Sequence, residues 1–225
     1  MVETYSRRRL LGSFAVAAGG TGLASCTATR QNSPFWSTVT SYRPGTQSDE
    51  VIRAYAAGLA YASMLFWFDG QSQALTVLSR EEPDQRLVWY TADKATITTF
   101  GPFIVATAGT DIELRNTEFG PGWSTDVRDL VGKTLTRRTI SVQRGAEASA
   151  NLRSRFRDAG LSQVEILSVK KPARRIDEAV IAENRIRLLN SYWIDPVTGE
   201  NLKSRQQVIP TMAPINTAVL KRAYG

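Results

Sequence analysis

From Ser63 onward the apolar pattern of this chain changes to the period of two of a strand, in short runs separated by turn residues. Successive side chains of a strand point to opposite faces, so this pattern suits strands with one buried face. Met64 to Phe68 reads as the first strand, ended by the hairpin signal Asp69-Gly70. Gln73 to Ser79 is the next, then the polar turn Glu81 to Gln85, then Leu87 to Tyr90. Ala92-Asp93 turns the chain again. Ala95 to Phe100 and Phe103 to Ala108 form a hairpin across Gly101-Pro102.

The pattern continues toward the C-terminus. Phe119 to Trp123 reads as a loop because Gly120-Pro121-Gly122 lies within it. Thr134 to Arg144, Val164 to Val169, Glu178 to Ala182, Ile186 to Trp193, Leu202 to Ile209 and Ile215 to Leu220 read as further strands. Asp195 to Gly199 is a tight turn. Asn151 to Ala159 reads equally as a helix or a polar loop. Many short strands with regular turns predict an all-β domain. The expected form is a mainly antiparallel meander, as a curved sheet, sandwich or open barrel, with one or two short helices. One helix is expected after Asp49, capped by Ser48 or Asp49, because Val51, Ile52, Tyr55, Ala56 and Leu59 fall at helical spacing.

Residues 1–25 have a different character. Arg7, Arg8 and Arg9 precede a weakly apolar, glycine-containing run that ends in Leu23-Ala24-Ser25-Cys26. The run is too short and too weak for a spanning helix of about 20 apolar residues. It reads as an export signal. Its end resembles a bacterial lipobox, which implies a diacylglycerol on Cys26, with palmitate-type acyl chains, and cleavage just before that residue. Ser6-Arg7-Arg8 with Leu10-Leu11 also resembles a twin-arginine signal, and twin-arginine and general secretory export both remain open. Thr27 stands where, in enteric-type bacteria, an Asp would favour inner-membrane retention. The expected location is therefore the periplasmic face of the outer membrane. Residues 26–48, rich in Ser, Thr, Asn, Gln and Pro, read as a lipidated tether. Phe35, Trp36 and Tyr42 within it predict partial docking. Residues 49–225 are expected to form a single β-rich domain.

Composition removes several chemistries. The chain has no histidine and one cysteine. Ser-His-Asp and Cys-His catalysis, and histidine metal sites, are excluded. With Cys26 acylated, no thiolate remains, and no metal or cofactor is expected beyond the covalent lipid. No phosphate-binding glycine loop is present. Removing residues 1–25 lowers the net charge from +7 to +5. The basic stretches read as solvated faces or as attraction to anionic headgroups or an acidic polysaccharide. Nucleic acid is not an expected partner.

Several segments share a common order. They are Leu59-Ala60-Tyr61-Ala62-Ser63, Gln73 to Leu78, Leu87 to Asp93, Thr107-Ala108-Gly109, Asn190 to Gly199, Lys203 to Gln206, Pro214-Ile215 and Val219-Leu220-Lys221. In this order they resemble the YjbF/GfcB family of bacterial lipoproteins, associated with exopolysaccharide and group 4 capsule clusters. Tyr192-Trp193-Ile194-Asp195-Pro196-Val197-Thr198-Gly199 is the most specific piece. The resemblance implies a β domain at the outer membrane and a partner role beside a β-barrel exporter. It departs from the family at Ala60, where Pro is common, and at Gln206-Gln207, where Gln-Trp is common.

Tyr192, Trp193 and Asp195 are the candidate residues for binding a partner or a glycan, because aromatic faces stack on sugars and anchor interfaces. The plainer reading puts Trp193 in the core and Asp195 in a turn. Trp67 and Trp89 read as core or cross-strand residues. Asp93 and Asp195 are a conceivable carboxylate pair, although Asp is also favoured at turns. The expected role is that of a non-enzymatic, lipid-anchored accessory in polysaccharide assembly or export. The alternatives are a lipid or lipoprotein carrier with an apolar cavity and a carboxylate-dependent glycan-modifying enzyme.

Overall fold

The computed structural model describes residues 47–110, 112–143, 145–182, 187–209 and 212–222. Cys26, Arg7, Arg8 and the aromatic residues Phe35, Trp36 and Tyr42 of the tether lie outside the described residues.

The chain enters through helix α1 (Asp49–Gly58), with Ser48 as N-cap accepting from the Val51 N–H. Twelve strands follow: β1 (Ser63–Phe68), β2 (Ala74–Glu81), β3 (Arg86–Thr91), β4 (Thr96–Phe100), β5 (Phe103–Ala108), β6 (Ile112–Phe119), β7 (Thr134–Gln143), β8 (Ala146–Ile166), β9 (Val169–Ala182), β10 (Arg187–Ile194), β11 (Asn201–Gln206) and β12 (Ile215–Lys221). All belong to one antiparallel sheet of order β5-β4-β3-β2-β1-β12-β11-β10-β9-β8-β7-β6. The edge strands β5 and β6 are consecutive in the chain, so the sheet curls into a nearly closed barrel. At that seam the Leu114 N–H donates to Thr107 Oγ1 (2.9 Å), and the Gly109 N–H donates to Glu113 (2.8 Å). Side chains therefore satisfy edge donors that have no strand partner. Among the described residues no helix is long and apolar enough to cross a membrane, which says nothing of strands.

The barrel interior is packed with side chains. Met64, Phe66, Trp89, Ile97, Leu114 and Ile215 form one buried cluster. Phe103, Leu135, Phe156, Ile176 and Tyr192 form another, joined by Val127 and Leu130 of a short 3-10 helix (Val127–Leu130) in the β6–β7 connection. A third cluster combines Ile52 of α1 with Leu65, Leu75, Val77 and Ala218 of the sheet and Val164, Ile166 and Leu167 at the tip of the β8–β9 hairpin. On β1, Leu65 belongs to this third cluster, whereas Met64 and Phe66 belong to the interior. The third cluster therefore covers the outer surface of the barrel.

A β-bulge lets one strand serve both clusters. On β8, Leu152 and Phe156 face inward, opposite Ala182 and Glu178 of β9. The pairing then shifts: Asp158 faces Ile176, but Gly160 faces Arg175, leaving Ala159 as the extra residue. One added residue reverses the face of every later side chain. Val164 and Ile166, on even positions like Leu152, thus turn to the outer cluster beneath α1.

The all-β expectation holds, and the expected helix stands with Ser48 as its cap. Local readings differ in three places. Asn151 to Ala159 is neither helix nor loop but the middle of β8. Its inward row includes Ser154, a polar residue, which hid the alternation. β6 had no counterpart in the sequence reading, because Ile112, Leu114 and Phe119 are spread among charged residues. Val164 to Val169 spans a hairpin turn instead of one strand. Leu167 and Ser168 take positive φ values of 48° and 62°. Arg53 donates to the Leu167 carbonyl and Ser168 donates to Asp49, so α1 holds this turn.

Candidate functional site

A belt of polar side chains crosses the barrel interior. Arg137 of β7, Ser154 of β8, Glu178 of β9, Asn190 and Tyr192 of β10 and Gln206 of β11 are all buried. Glu178 accepts from Arg137, from Ser154, from Asn190 Nδ2 (2.8 Å) and from the Tyr192 hydroxyl (2.7 Å). Trp123 lies under the Arg137 guanidinium, 5.3 Å from its centroid. Gln206 spans the remaining gap, donating to the Pro102 carbonyl (2.7 Å) and accepting from the Ile104 N–H (3.2 Å). Burial pushes the Glu178 carboxyl upward. The Arg137 charge and the donors from Ser154, Tyr192 and Asn190 outweigh that effect and hold it below the usual range. Burial and the adjacent Glu178 charge push the Tyr192 phenol well above its ordinary value. A buried charge satisfied this fully acts as a structural tie between strands.

An open cavity of about 480 Å³ lies near the β10–β11 turn. Its floor is apolar, with Met64, Leu87 and Ile194, and its walls carry Glu81, Asp126, Glu200, Asn201 and Arg222. The turn is a dense local structure. Asp195 Oδ1 accepts from the Val197 N–H (2.9 Å) and the Thr198 N–H (3.0 Å), and its carbonyl accepts from the Gly199 N–H (2.9 Å). These Thr198 and Val197 donors, with the Arg222 charge, lower the Asp195 carboxyl below its ordinary value. Arg222 also pairs with Glu200 at 2.5 Å. Gly199 has a φ of +80°, a left-handed conformation that favours glycine at this turn. Among these wall groups, Asn201 Oδ1 is buried without a hydrogen-bond partner.

The candidate residues separate in space. Tyr192 is fully enclosed, so its ring offers no face to a sugar or partner, and its place is in the belt. Trp193 points to the other side of β10, half-buried in the outer cluster, with the Arg175 guanidinium 5.7 Å from its centroid. Asp195 shapes the turn beside the cavity. Alternation along β10 makes the first separation unavoidable. Asp93 accepts from Thr91 and lines a different recess, formed with Trp67, Gly109 and Met212, so Asp93 and Asp195 are not a pair. Trp89 is interior, donating to Thr99 (3.0 Å), while Trp67 lies on the outer surface under Lys203. Sequence reasoning missed Arg137 and Glu178. Both sit in charged runs that look solvated, and only the inward position of each on its strand marks it. Among the described residues no group of three or more His, Cys, Asp or Glu side chains could hold a metal ion.

The hypothetical lipoprotein YmcC from Escherichia coli K12 has a similar fold, with a TM-score of 0.67 at 23% identity, covering 80% of this chain and 91% of that one. No curated protein sequence matches the chain. The family described as group 4 capsule polysaccharide lipoprotein gfcB, YjbF matches residues 34–220. With that match running through nearly the whole barrel, the chain belongs to the YjbF/GfcB family of group 4 capsule polysaccharide lipoproteins.

Proposed function

We propose that the protein is a lipid-anchored accessory of exopolysaccharide or capsule assembly or export, acting by binding a glycan or a partner and not by catalysis. In this reading acyl chains on Cys26 hold the domain at the periplasmic face of the outer membrane, beside a β-barrel exporter. More than one acyl chain gives stable anchoring. Family membership supports the polysaccharide connection. The observation that carries the binding role is the filled barrel. Phe103, Phe156, Ile176 and Tyr192 fill the middle of the interior, and the 480 Å³ cavity lined by interior Met64, Trp89 and Ile194 is open and not an enclosed chamber.

The test compares secreted polysaccharide in cells carrying Cys26→Ser, in a deletion strain and in wild type, with protein levels matched. Loss of polysaccharide in both altered strains is the expected result. Normal secretion in the deletion strain overturns the reading.

A further inference from the structure

The outward surface of β7 to β10 is strongly basic. Over residues 134–138, 151–157, 175–181 and 187–193 its outward positions carry six arginines (Arg138, Arg153, Arg155, Arg157, Arg175 and Arg187) and one acid, Asp177. The pairing arranges them in rows across the strands. Arg153, Ile181 and Arg187 form one row; Arg155, Ala179 and Leu189 the next; then Arg157, Asp177 and Ser191; and finally Arg175 beside Trp193. Arg157 and Arg175 already pair with Asp177. Arg153, Arg155 and Arg187 are exposed, and among the described residues their guanidinium groups have no acidic partner.

Exposed apolar side chains lie between these cations. Leu189 is 54% exposed and Ile181 45%. They sit beside longer arginine side chains, so the surface is a trough with an apolar floor and cationic walls. A recess of about 680 Å³ adjoins it, with Thr136, Asn151, Arg153 and Ile181 in its wall and Arg138 paired there with Glu118. Along β10 the trough runs from Arg187 to Trp193, about 20 Å at the rise of a strand.

We infer that this trough binds a linear anionic polysaccharide whose sugar carboxylates meet Arg153, Arg155 and Arg187 while its apolar ring faces lie on Ile181 and Leu189. The planar guanidinium matches a carboxylate with two parallel hydrogen bonds. Apolar side chains beside it favour the C–H faces of sugar rings. An anionic bilayer fits less well, because over these rows Ile181 and Leu189 are the only exposed large apolar side chains among the described residues, too little area to insert into an acyl region. The inference rests on the glycan-binding form of the function proposed above and names its ligand class.

Calorimetry of the full-length protein in detergent with a polygalacturonate oligomer tests it, with neutral dextran as the control glycan. The variant R155E/R187E changes the trough. R80E/K94E makes the same charge change on the distant β2–β4 surface, and matched thermal unfolding confirms that both variants fold. The expected result is uronate binding by wild type, binding weakened about tenfold or more in R155E/R187E, and no more than about a twofold change in R80E/K94E. Equal binding in the two variants overturns the inference, as does wild type binding dextran as well as uronate. A second arm mixes the full-length Cys26→Ser chain with phosphatidylglycerol or phosphatidylcholine vesicles. Trough-dependent vesicle binding without uronate binding also overturns it, in favour of a membrane-facing surface. The secretion assay is a separate readout, so failure here leaves the accessory reading standing on its own test.

Discussion

Arg137 and Glu178 meet inside the barrel from strands that do not adjoin: β8 lies between them and contributes Ser154 to the same carboxylate. With Asn190, Tyr192 and Gln206 they tie β7 to β5 through the interior.

Glu178→Gln is expected to destabilise the protein by about 3–5 kcal/mol, because Arg137 would remain charged and buried without its partner. The double change Arg137→Met with Glu178→Leu is expected to recover much of that loss. Urea unfolding of the three variants measures this. A double variant less stable than both single ones would contradict it.

Acid should weaken the fold in a defined direction. The folded Glu178 carboxyl titrates below its ordinary value, about 4.3 in an unfolded chain. Its contribution is therefore complete above that value and is lost as pH falls through the lower folded value. Asp126 and Asp158, held low by hydrogen bonds from Arg128 and Arg174, add to the same acid limb. Tyr192 acts at the other extreme: its raised value means that stability present below about pH 10 declines as pH rises past it. Thermal unfolding followed against pH should show both limbs, and Tyr192→Phe should flatten the alkaline one while also reducing the acid one, because it removes a donor to Glu178.

Two glycines with positive φ separate strain from space. Gly70 has open surroundings, so Gly70→Ala should cost about 1–2 kcal/mol from the left-handed backbone alone. At Gly101 a Cβ would lie 2.3 Å from the Thr125 carbonyl oxygen. That contact is with backbone, so Gly101→Ala should cost clearly more. Equal midpoints in urea would refute the difference.

Deleting Ala159 removes the extra residue of the β8 bulge. Val164 and Ile166 would then turn away from Ile52 and Leu65, and α1 would lose its cover. Hydrogen exchange should show α1 amides losing protection while those of β3 and β4 keep theirs. Unchanged protection in α1 would show that the bulge does not set this face.

Much of the barrel was legible because burying one face of a strand imposes a period of two that the chain itself displays. Thr134 to Gln143 was plain for that reason, while Met64 to Phe68 and Phe103 to Ala108, buried on both faces, were legible as continuous apolar runs. β8 was not, because its interior positions include a polar residue satisfied by partners far away in sequence. Turn chemistry was legible at Asp195 and Gly199, where hydrogen bonds run between near neighbours. The family was also legible, since its motif is a contiguous string of residues.

The sequence by itself determined the strand content, the capped helix and the turns, since propensity, periodicity and capping act over a few residues. Only the tertiary structure decided which polar residues are interior and which arginines line the outer surface. Burial of Arg137, Glu178 and Tyr192, and exposure of Arg153, Arg155 and Arg187, follow from strand order and register. Those are set by contacts between distant segments, and the bulge at Ala159 shows how one extra residue reverses the face of the side chains that follow it on β8.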